Sequence, residues 1–272
     1  MDHAHAAGPG SPGPPVPYVP SGPEHAFRVV DVGGDAYDCV GTMRTGPWIL
    51  GADGTPSHAA LGVLLDVVLG GTAVAHRPER HWGVTIDLYA TFCAALPGDG
   101  GVLTARATTG HRDASAAVAT GTVEGAGGQT LAVATQRVRF VPGDPLPPVP
   151  APARDGPDDG DLLTMLGARG VIGVDGEAEV VLEAVPGLAN PGGTMHGGIQ
   201  FALAVEAVAA AVAPLRVASL HMTYVRPGPV DGAVHVRTAT SYRGRTAAVV
   251  GAQVLRADGK PCAIGTATCT AV

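Results

Sequence analysis

The sequence predicts an α+β protein made of two similar units, each with one long helix and an antiparallel sheet. The first observation is an internal duplication: residues 101–141 align with 232–272 without gaps, and 13 of 41 positions are identical. The second is one long segment rich in Ala, Leu and Val in each half, at 56–75 and 194–213, long enough to favour helix over strand. The third is a series of β-rich runs, separated by turns, after each of these segments.

The elements follow the same order in both halves. One strand is predicted before each helix, at 37–43 and 178–185, and four strands follow it. Gly-Gly and Asp-Gly pairs between the last two strands are typical of hairpin turns. Each unit therefore has the order β-α-β-β-β-β, with a meander sheet that packs against the helix. The following strands are predicted at 84–92, 102–109, 114–123 and 130–140, and at 218–225, 233–240, 245–255 and 261–272.

Two proline-rich segments divide the chain. Residues 8–23 and 142–157 carry seven prolines each, and proline is excluded from helix interiors and central strands. The first segment is predicted to be a disordered tail and the second an interdomain linker. The expected organisation is a tail over 1–24, an N-terminal unit over 25–141, a linker over 142–160 and a C-terminal unit over 161–272.

Composition excludes several classes of protein. The 272 residues carry a net charge of −7 and a single lysine, which argues against nucleic-acid binding. No apolar run reaches the ~18 residues that a membrane span needs, so no membrane partner is expected. The N-terminus lacks the pattern of a secretory signal, and the four cysteines show no C-x-x-C spacing. We therefore expect free thiols and a cytoplasmic location.

The stretch from Asn190 to Gly198 carries the clearest functional signal. It reads Asn-Pro-Gly-Gly-Thr-Met-His-Gly-Gly and leads directly into the second helix. Unpaired N–H groups at a helix N-terminus favour negative charge, and Gly197 and Gly198 allow close approach to that backbone. The stretch therefore suits a carbonyl oxygen that becomes an oxyanion, with Asn190 and His196 beside it. The alternative is a glycine-rich loop that only caps a buried helix.

This stretch resembles the hotdog-fold acyl-CoA thioesterases of the phenylacetyl-CoA (PaaI-like) type. The resemblance rests on the N-P-x-G-T-x-H-G-G loop, the apolar helix after it, and the later Gly244-Arg245, Asp258-Gly259, Ala263 and Thr266. It covers about 160–272 well and, through the duplication, 36–141 weakly. The resemblance implies a double hotdog, in which two fused hotdog units imitate the usual homodimer and each sheet wraps around a long central helix.

The resemblance also implies a composite active site. In that family a carboxylate on the helix of one unit faces the glycine loop of the other and acts as general base or nucleophile. The first glycine N–H after the histidine, here that of Gly197, polarises the thioester carbonyl. The family places the acid nine residues after the histidine, a position that Val205 occupies, with Glu206 one residue later.

The two halves complement each other in this comparison. Asp66 lies in an L-x-D segment like that of the family, which puts Ser57 at the histidine position. Asp66 with Asn190, His196, Gly197 and Gly198 makes one complete site. The reciprocal set, Glu206 with Ser57, His58 and Ala59, is eroded because its loop lacks the asparagine and both glycines. The alternatives are that Asp66 points to solvent on an amphipathic helix and that Glu206 has a structural role.

The resemblance implies an acyl-CoA thioesterase that releases a free acid and coenzyme A. Arg243 and Arg245 are candidates for the coenzyme A phosphates, although solvated surface arginine is the alternative. No metal and no cofactor beyond coenzyme A, as part of the substrate, is expected, and no Walker A, G-x-G-x-x-G or G-x-S-x-G motif occurs. The alternative function is a non-catalytic hotdog protein that binds acyl or aromatic ligands. A homo-oligomer of double hotdogs is also expected.

Overall fold

The computed structural model describes residues 20, 22–34, 37–143, 160–172 and 177–271. The first unit opens with a short helix and two strands, and then has one long helix and four strands. Its elements are α1 (Gly22–Ala26), β1 (Val29–Gly34), β2 (Asp38–Arg44), α2 (Leu61–Val74), β3 (His81–Phe92), β4 (Val102–Arg112), β5 (Ala116–Glu124) and β6 (Thr130–Pro142).

The second unit repeats this order. Its elements are α3 (Leu162–Leu166), β7 (Ala168–Ile172), β8 (Ala178–Glu183), α4 (Gly197–Val212), β9 (Arg216–Tyr224), β10 (Ala233–Arg243), β11 (Ala247–Arg256) and β12 (Pro261–Thr270). Short 3₁₀ turns at His58–Ala60 and Pro186–Leu188 lie near the long helices.

The strands form one antiparallel sheet of 12 strands, in the order β1-β2-β4-β5-β6-β3-β9-β12-β11-β10-β8-β7. The order reads the same from both ends, and the two units join where β3 pairs with β9. The helices α2 and α4 pack against the sheet and against each other, and most of their side chains are buried. The predicted α+β double hotdog is confirmed.

The duplication extends to details of strand register. The pairing of β4 with β5 shifts between Thr109 and His111, and the pairing of β10 with β11 shifts between Thr240 and Tyr242. A β-bulge that recurs at the same position in both units is a feature of the repeated unit and not a local irregularity of one strand. Residues of the two units can therefore be compared position by position.

The structure differs from the predicted boundaries in two respects. Each unit has an additional short helix and strand at its start, and these were not predicted. Helix α1 begins at Gly22, and residues 22–24 are buried, so the expected tail is wrong for these three residues. Pro23 belongs to the proline-rich segment that predicts a tail, but proline is well placed in the first turn of a helix. Residues 1–19, and 144–159 of the expected linker, lie outside the described residues.

The long helices are also shorter than the apolar segments. Helix α2 begins at Leu61 because residues His58–Ala60 form a 3₁₀ turn, and α4 begins at Gly197. None of the helices in the described ranges is long and apolar enough to cross a membrane.

Candidate active site

The two long helices approach each other closely at Gly62 and Gly198. A Cβ atom on Gly62 would lie 2.3 Å from the Gly198 carbonyl oxygen, and one on Gly198 would lie 2.4 Å from that of Gly62. Only glycine permits this approach between backbones. Asp66 follows Gly62 by four residues and thus lies on the same face of α2, directed at the start of α4.

The carboxylate of Asp66 binds the N-terminus of the other unit's helix. The Gly198 N–H donates to Asp66 Oδ2 at 2.9 Å, and His196 Nδ1 lies 3.2 Å from the same oxygen. The positive end of the helix dipole favours a carboxylate at this position. Asp66 is only 9% exposed, so the alternative in which it faces solvent is wrong. The structure brings Asp66, His196, Gly197 and Gly198 together as the sequence predicts.

The second oxygen of Asp66 is held by side chains of its own unit. Gln136 Nε2 donates to Asp66 Oδ1 at 2.7 Å and to Thr85 Oγ1 at 2.8 Å, and the Thr85 hydroxyl lies 3.3 Å from Asp66 Oδ1. An ionised carboxylate can only accept hydrogen bonds, so the amide nitrogen of Gln136, and not its oxygen, faces Asp66. Both oxygens of the carboxylate are therefore positioned.

His196 lies between two carboxylates. Its Nε2 is 3.7 Å from Glu24 Oε1 in α1, and its Nδ1 faces Asp66. Burial lowers the pKa of His196, but Asp66 and Glu24 together outweigh burial and raise the pKa above its usual value. The Gly198 N–H lies within reach of both His196 Nδ1 and Asp66. When the ring is protonated, Nδ1 is a donor and cannot accept, so the Gly198 N–H then donates to the Asp66 carboxylate alone.

Gly197 is the accessible part of the helix start. Within the described residues its N–H has no hydrogen-bond acceptor, while its carbonyl accepts from the Tyr224 hydroxyl at 2.9 Å. Burial, then Asp66 and Asp87, raise the pKa of Tyr224 well above its usual value, so the hydroxyl remains a donor. A Cβ on Gly197 would lie 2.7 Å from Asp66 Oδ2, so a side chain here would displace the carboxylate.

Asn190 shapes the loop before α4. Its Oδ1 accepts from the Thr194 N–H at 3.2 Å and lies 3.3 Å from the Thr194 hydroxyl. Its backbone N–H donates to the Thr194 carbonyl, which closes the turn. In the described part of the chain Asn190 makes no hydrogen bond to Asp66, so the structure places it in the loop and not against the carboxylate.

Ser57 occupies the position of His196 in the other unit. Its N–H donates to the Ile49 carbonyl as that of His196 donates to Leu188, and both side chains lie within reach of the N–H two residues later. The Ser57 hydroxyl donates to Glu206 of α4. Glu206 thus faces the N-terminal loop as Asp66 faces the C-terminal loop.

The surroundings of Glu206 differ from those of Asp66. Burial raises the pKa of Glu206 to about 7, against the Ser57 hydrogen bond and with help from Asp161 and Asp53. Gln136 and Thr85 surround Asp66, and the strand register places Ala267 and Val217 at the equivalent positions of the second unit. Glu206 is therefore a buried acid that titrates near neutral pH, with fewer donors around it.

The loop that faces Glu206 is also filled. The His58 ring stacks on Phe92 with centroids 4.4 Å apart, and its Nε2 lies 2.8 Å from the Ala94 carbonyl oxygen. Burial, together with Arg216, lowers the pKa of His58 despite its hydrogen bond to Ala94. Phe92 stands where the second unit has Tyr224. A neutral, stacked imidazole thus occupies the place that Gly197 leaves open in the Asp66 site.

The two predicted coenzyme A ligands lie at the other end of α4. The Arg243 guanidinium donates to the carbonyls of Ala211, Val212 and Ala213, which caps the helix C-terminus. This end is about 21 Å from Gly197 along the helix axis. Arg245 is exposed in the adjoining turn. The structure brings neither residue to Asp66, and Arg243 is used within the fold because the last carbonyls of a helix need donors.

Four residues around Asp66 and His196 were not predicted from the sequence: Glu24, Thr85, Gln136 and Tyr224. The duplication gives a signal for three of them, because Gln136, Thr85 and Tyr224 replace apolar residues at matched positions. Glu24 lies in the segment predicted to be a tail. In the ranges described, no group of three or more His, Cys, Asp or Glu side chains is arranged to hold a metal ion.

Comparisons with known proteins agree with this fold. Residues 185–270 match the family described as acyl-CoA thioesterase N-terminal domain. A search of curated proteins gave no significant match. The tesB protein of Mycobacterium avium subs paratuberculosis is similar in structure, with a TM-score of 0.61 and 10% identity over 90% of this chain and 96% of that one.

Two further solved structures are similar over most of their length. One is a protein with a hot dog fold from Alicyclobacillus acidocaldarius, with a TM-score of 0.59, 14% identity and coverage of 93% of this chain and 98% of that one. The other is an acyl-ACP thioesterase from Bacteroides thetaiotaomicron, with a TM-score of 0.53, 12% identity and coverage of 85% and 97%. The chain is a fused double hotdog that resembles the hotdog-fold acyl-CoA thioesterases, most directly in its C-terminal unit.

Proposed function

We propose that the protein hydrolyses acyl- or aryl-CoA thioesters to the free acid and coenzyme A, at the composite site of Asp66, His196, Gly197 and Gly198. The observation that carries the proposal is the position of Asp66 beside an accessible helix N-terminus. A carboxylate and an unpaired N–H that face the same space are what attack on a carbonyl requires.

In this account Asp66 is the general base. Each of its oxygens accepts from fixed donors, which hold the carboxylate in one orientation. A water molecule gives its proton to Asp66 as its oxygen bonds to the thioester carbon. The carbon–sulfur bond then breaks, and coenzyme A leaves as a thiolate, which is a good leaving group.

The start of α4 stabilises the negative charge that develops on the carbonyl oxygen. The Gly197 N–H has no competing acceptor in the described residues, so it is available to that oxygen. The helix dipole adds positive charge nearby, and so does the His196 ring when it is protonated. Donors that are already oriented need no rearrangement as the charge forms, and removal of one such donor typically costs ~10²–10³ in kcat.

The test is thiol release from a panel of acyl-CoA esters, read with a thiol reagent. The panel includes short, long and branched aliphatic groups and aromatic groups such as benzoyl and phenylacetyl. We expect turnover of at least one class, saturable in substrate and abolished by boiling. Binding of an acyl-CoA without any thiol release would instead favour the non-catalytic ligand-binding function.

A further inference from the structure

Helix α1 of the first unit contributes a buried carboxylate to the site. It packs near the 3₁₀ turn Pro186–Leu188 of the second unit, directly before the glycine loop. Glu24 is only 4% exposed, and its Oε1 lies 3.7 Å from His196 Nε2. A buried carboxylate is costly unless a positive or donating group compensates it, and the His196 ring is such a group at 3.7 Å.

The duplication supplies an internal comparison for this contact. The segment of α1 and β1 repeats as α3 and β7 with a constant spacing of 139 residues. The Arg28 N–H donates to the His25 carbonyl, as the Gly167 N–H donates to that of Thr164. Both Arg28 and Gly167 have a positive φ, of 53° and 68°. The two segments are therefore equivalent residue by residue.

In this equivalence Glu24 corresponds to Leu163, and His196 corresponds to Ser57. Leu163 is buried like Glu24, so the position is internal in both units. Glu24 thus occurs together with His196, and at the equivalent positions Leu163 occurs together with Ser57. Because the acid is present only where the histidine is present, we infer that Glu24 and His196 act as a pair.

The charges around His196 come from two elements. Glu24 on α1 faces Nε2 and Asp66 on α2 faces Nδ1, while Tyr224 on β9 is a neutral hydroxyl directed at the Gly197 carbonyl. With both carboxylates ionised, an imidazolium lies between two opposite charges, 3.2 Å from one and 3.7 Å from the other. Without Glu24, Nε2 would lose the carboxylate that faces it at 3.7 Å, and both side chains are buried.

We propose that Glu24 is a positioning residue, which keeps His196 protonated and fixed so that its Nδ1–H orients Asp66 toward the start of α4. The proposal rests on the proposed thioesterase function for its kinetic consequences but not for its structural ones. Glu24 touches neither the carbonyl nor the attacking water in this account. Its effect is transmitted entirely through the His196 ring.

The direct test is an NMR titration of the His196 imidazole in the full chain, for the wild type, Glu24→Gln, Glu24→Leu and Glu24→Asp. His25→Gln is the matched control, since this residue is the exposed neighbour in the same helix. We expect the wild-type ring to titrate above 6.5 and the His196 pKa to fall in Glu24→Gln and Glu24→Leu. Glu24→Asp should recover part of the shift, and His25→Gln should match the wild type.

The result that overturns the proposal is a wild-type His196 that is neutral at pH 7, or one whose titration does not respond to Glu24→Gln. The wild-type titration alone decides the first point, even if a variant folds poorly. Neither result depends on turnover, so failure of this proposal is distinguishable from failure of the thioesterase function.

Kinetics on an accepted thioester give an independent readout. We expect kcat to fall about 10-fold to 100-fold in Glu24→Gln, with KM changed less, because the His196 ring loses a facing buried charge. The upper pH limit of activity should also move to lower pH, because His196 loses its proton sooner. The double variant Glu24→Leu with His196→Ser should be no slower than His196→Ser alone. Additive losses would mean that Glu24 acts independently of His196.

Discussion

The Gly198 N–H donates to the Asp66 carboxylate at 2.9 Å, although the two residues lie 132 positions apart and belong to different units. The contact is possible because the helices meet at glycines, and it is favourable because a helix N-terminus attracts a carboxylate. Its counterpart, Glu206 with Ser57, differs in charge state and in surroundings. The two acids therefore support different predictions.

Glu206 should make the stability of the protein depend on pH. Its pKa is raised from 4.5 to about 7 in the folded state, so the folded chain holds a proton that the unfolded chain has lost between these values. The free energy of unfolding should therefore fall as pH rises from about 4.5 to 7. Glu206→Gln should match the wild type near pH 4.5 and exceed it by about 1–3 kcal/mol above pH 7.

The measurement is urea denaturation at several pH values, with the exposed Glu183→Gln as control. The control should follow the wild type at every pH. A Glu206→Gln variant that is less stable than the wild type at pH 8 would contradict the assignment, because Glu206 would then be a stabilising carboxylate.

Gly197→Ala should damage catalysis and leave substrate binding largely intact. The new methyl group would lie 2.7 Å from Asp66 Oδ2, so the carboxylate must move. A displacement of about 1 Å at a reacting group can cost ~10² in rate. Steady-state kinetics should thus give a much lower kcat, while Gly127→Ala, in open space on a hairpin, should be unchanged. Full activity of Gly197→Ala would be incompatible with this geometry.

Gln136→Ala with Thr85→Val gives Asp66 the surroundings that Glu206 has. The double variant removes both donors to Asp66 Oδ1, so the carboxylate loses its fixed orientation and part of its stabilisation. We expect kcat to fall at least about 10-fold, since each lost hydrogen bond to a charged group corresponds to a factor of this order. Circular dichroism should confirm an unchanged fold. An unaltered kcat would show that the orientation of Asp66 is set by the other unit alone.

Tyr224→Phe reproduces the residue that the first unit has at this position. The variant removes the hydroxyl that binds the Gly197 carbonyl and leaves the ring in place. We expect a loss of about 1 kcal/mol in the free energy of unfolding and a several-fold lower kcat, because the start of α4 is less firmly held. The reciprocal Phe92→Tyr variant should not change kcat, and thermal denaturation and kinetics of both check the prediction. Equal kinetic losses in the two variants would contradict it.

Most of the fold could be predicted from the sequence, because the duplication repeats a clear pattern of one helix and several strands. The pairing of Asp66 with the loop at 190–198 could be predicted because the family resemblance places Asp66 at the acid position and the glycine loop lies in the other half. Glu24 could not, because a five-residue helix that starts with Gly-Pro has no periodicity of its own and is stabilised by packing. Arg243 could not be assigned because its role depends on carbonyls 30 or more positions away.

The central claim is that Asp66, and not Glu206, is the base of a single working site. Its most direct test is the kcat for thioester hydrolysis of Asp66→Asn and Glu206→Gln, measured side by side on one accepted acyl-CoA. The account predicts a loss of ~10² or more for Asp66→Asn and nearly full turnover for Glu206→Gln. An inactive Glu206→Gln beside an active Asp66→Asn would contradict it, and equal partial losses would mean that both composite sites work.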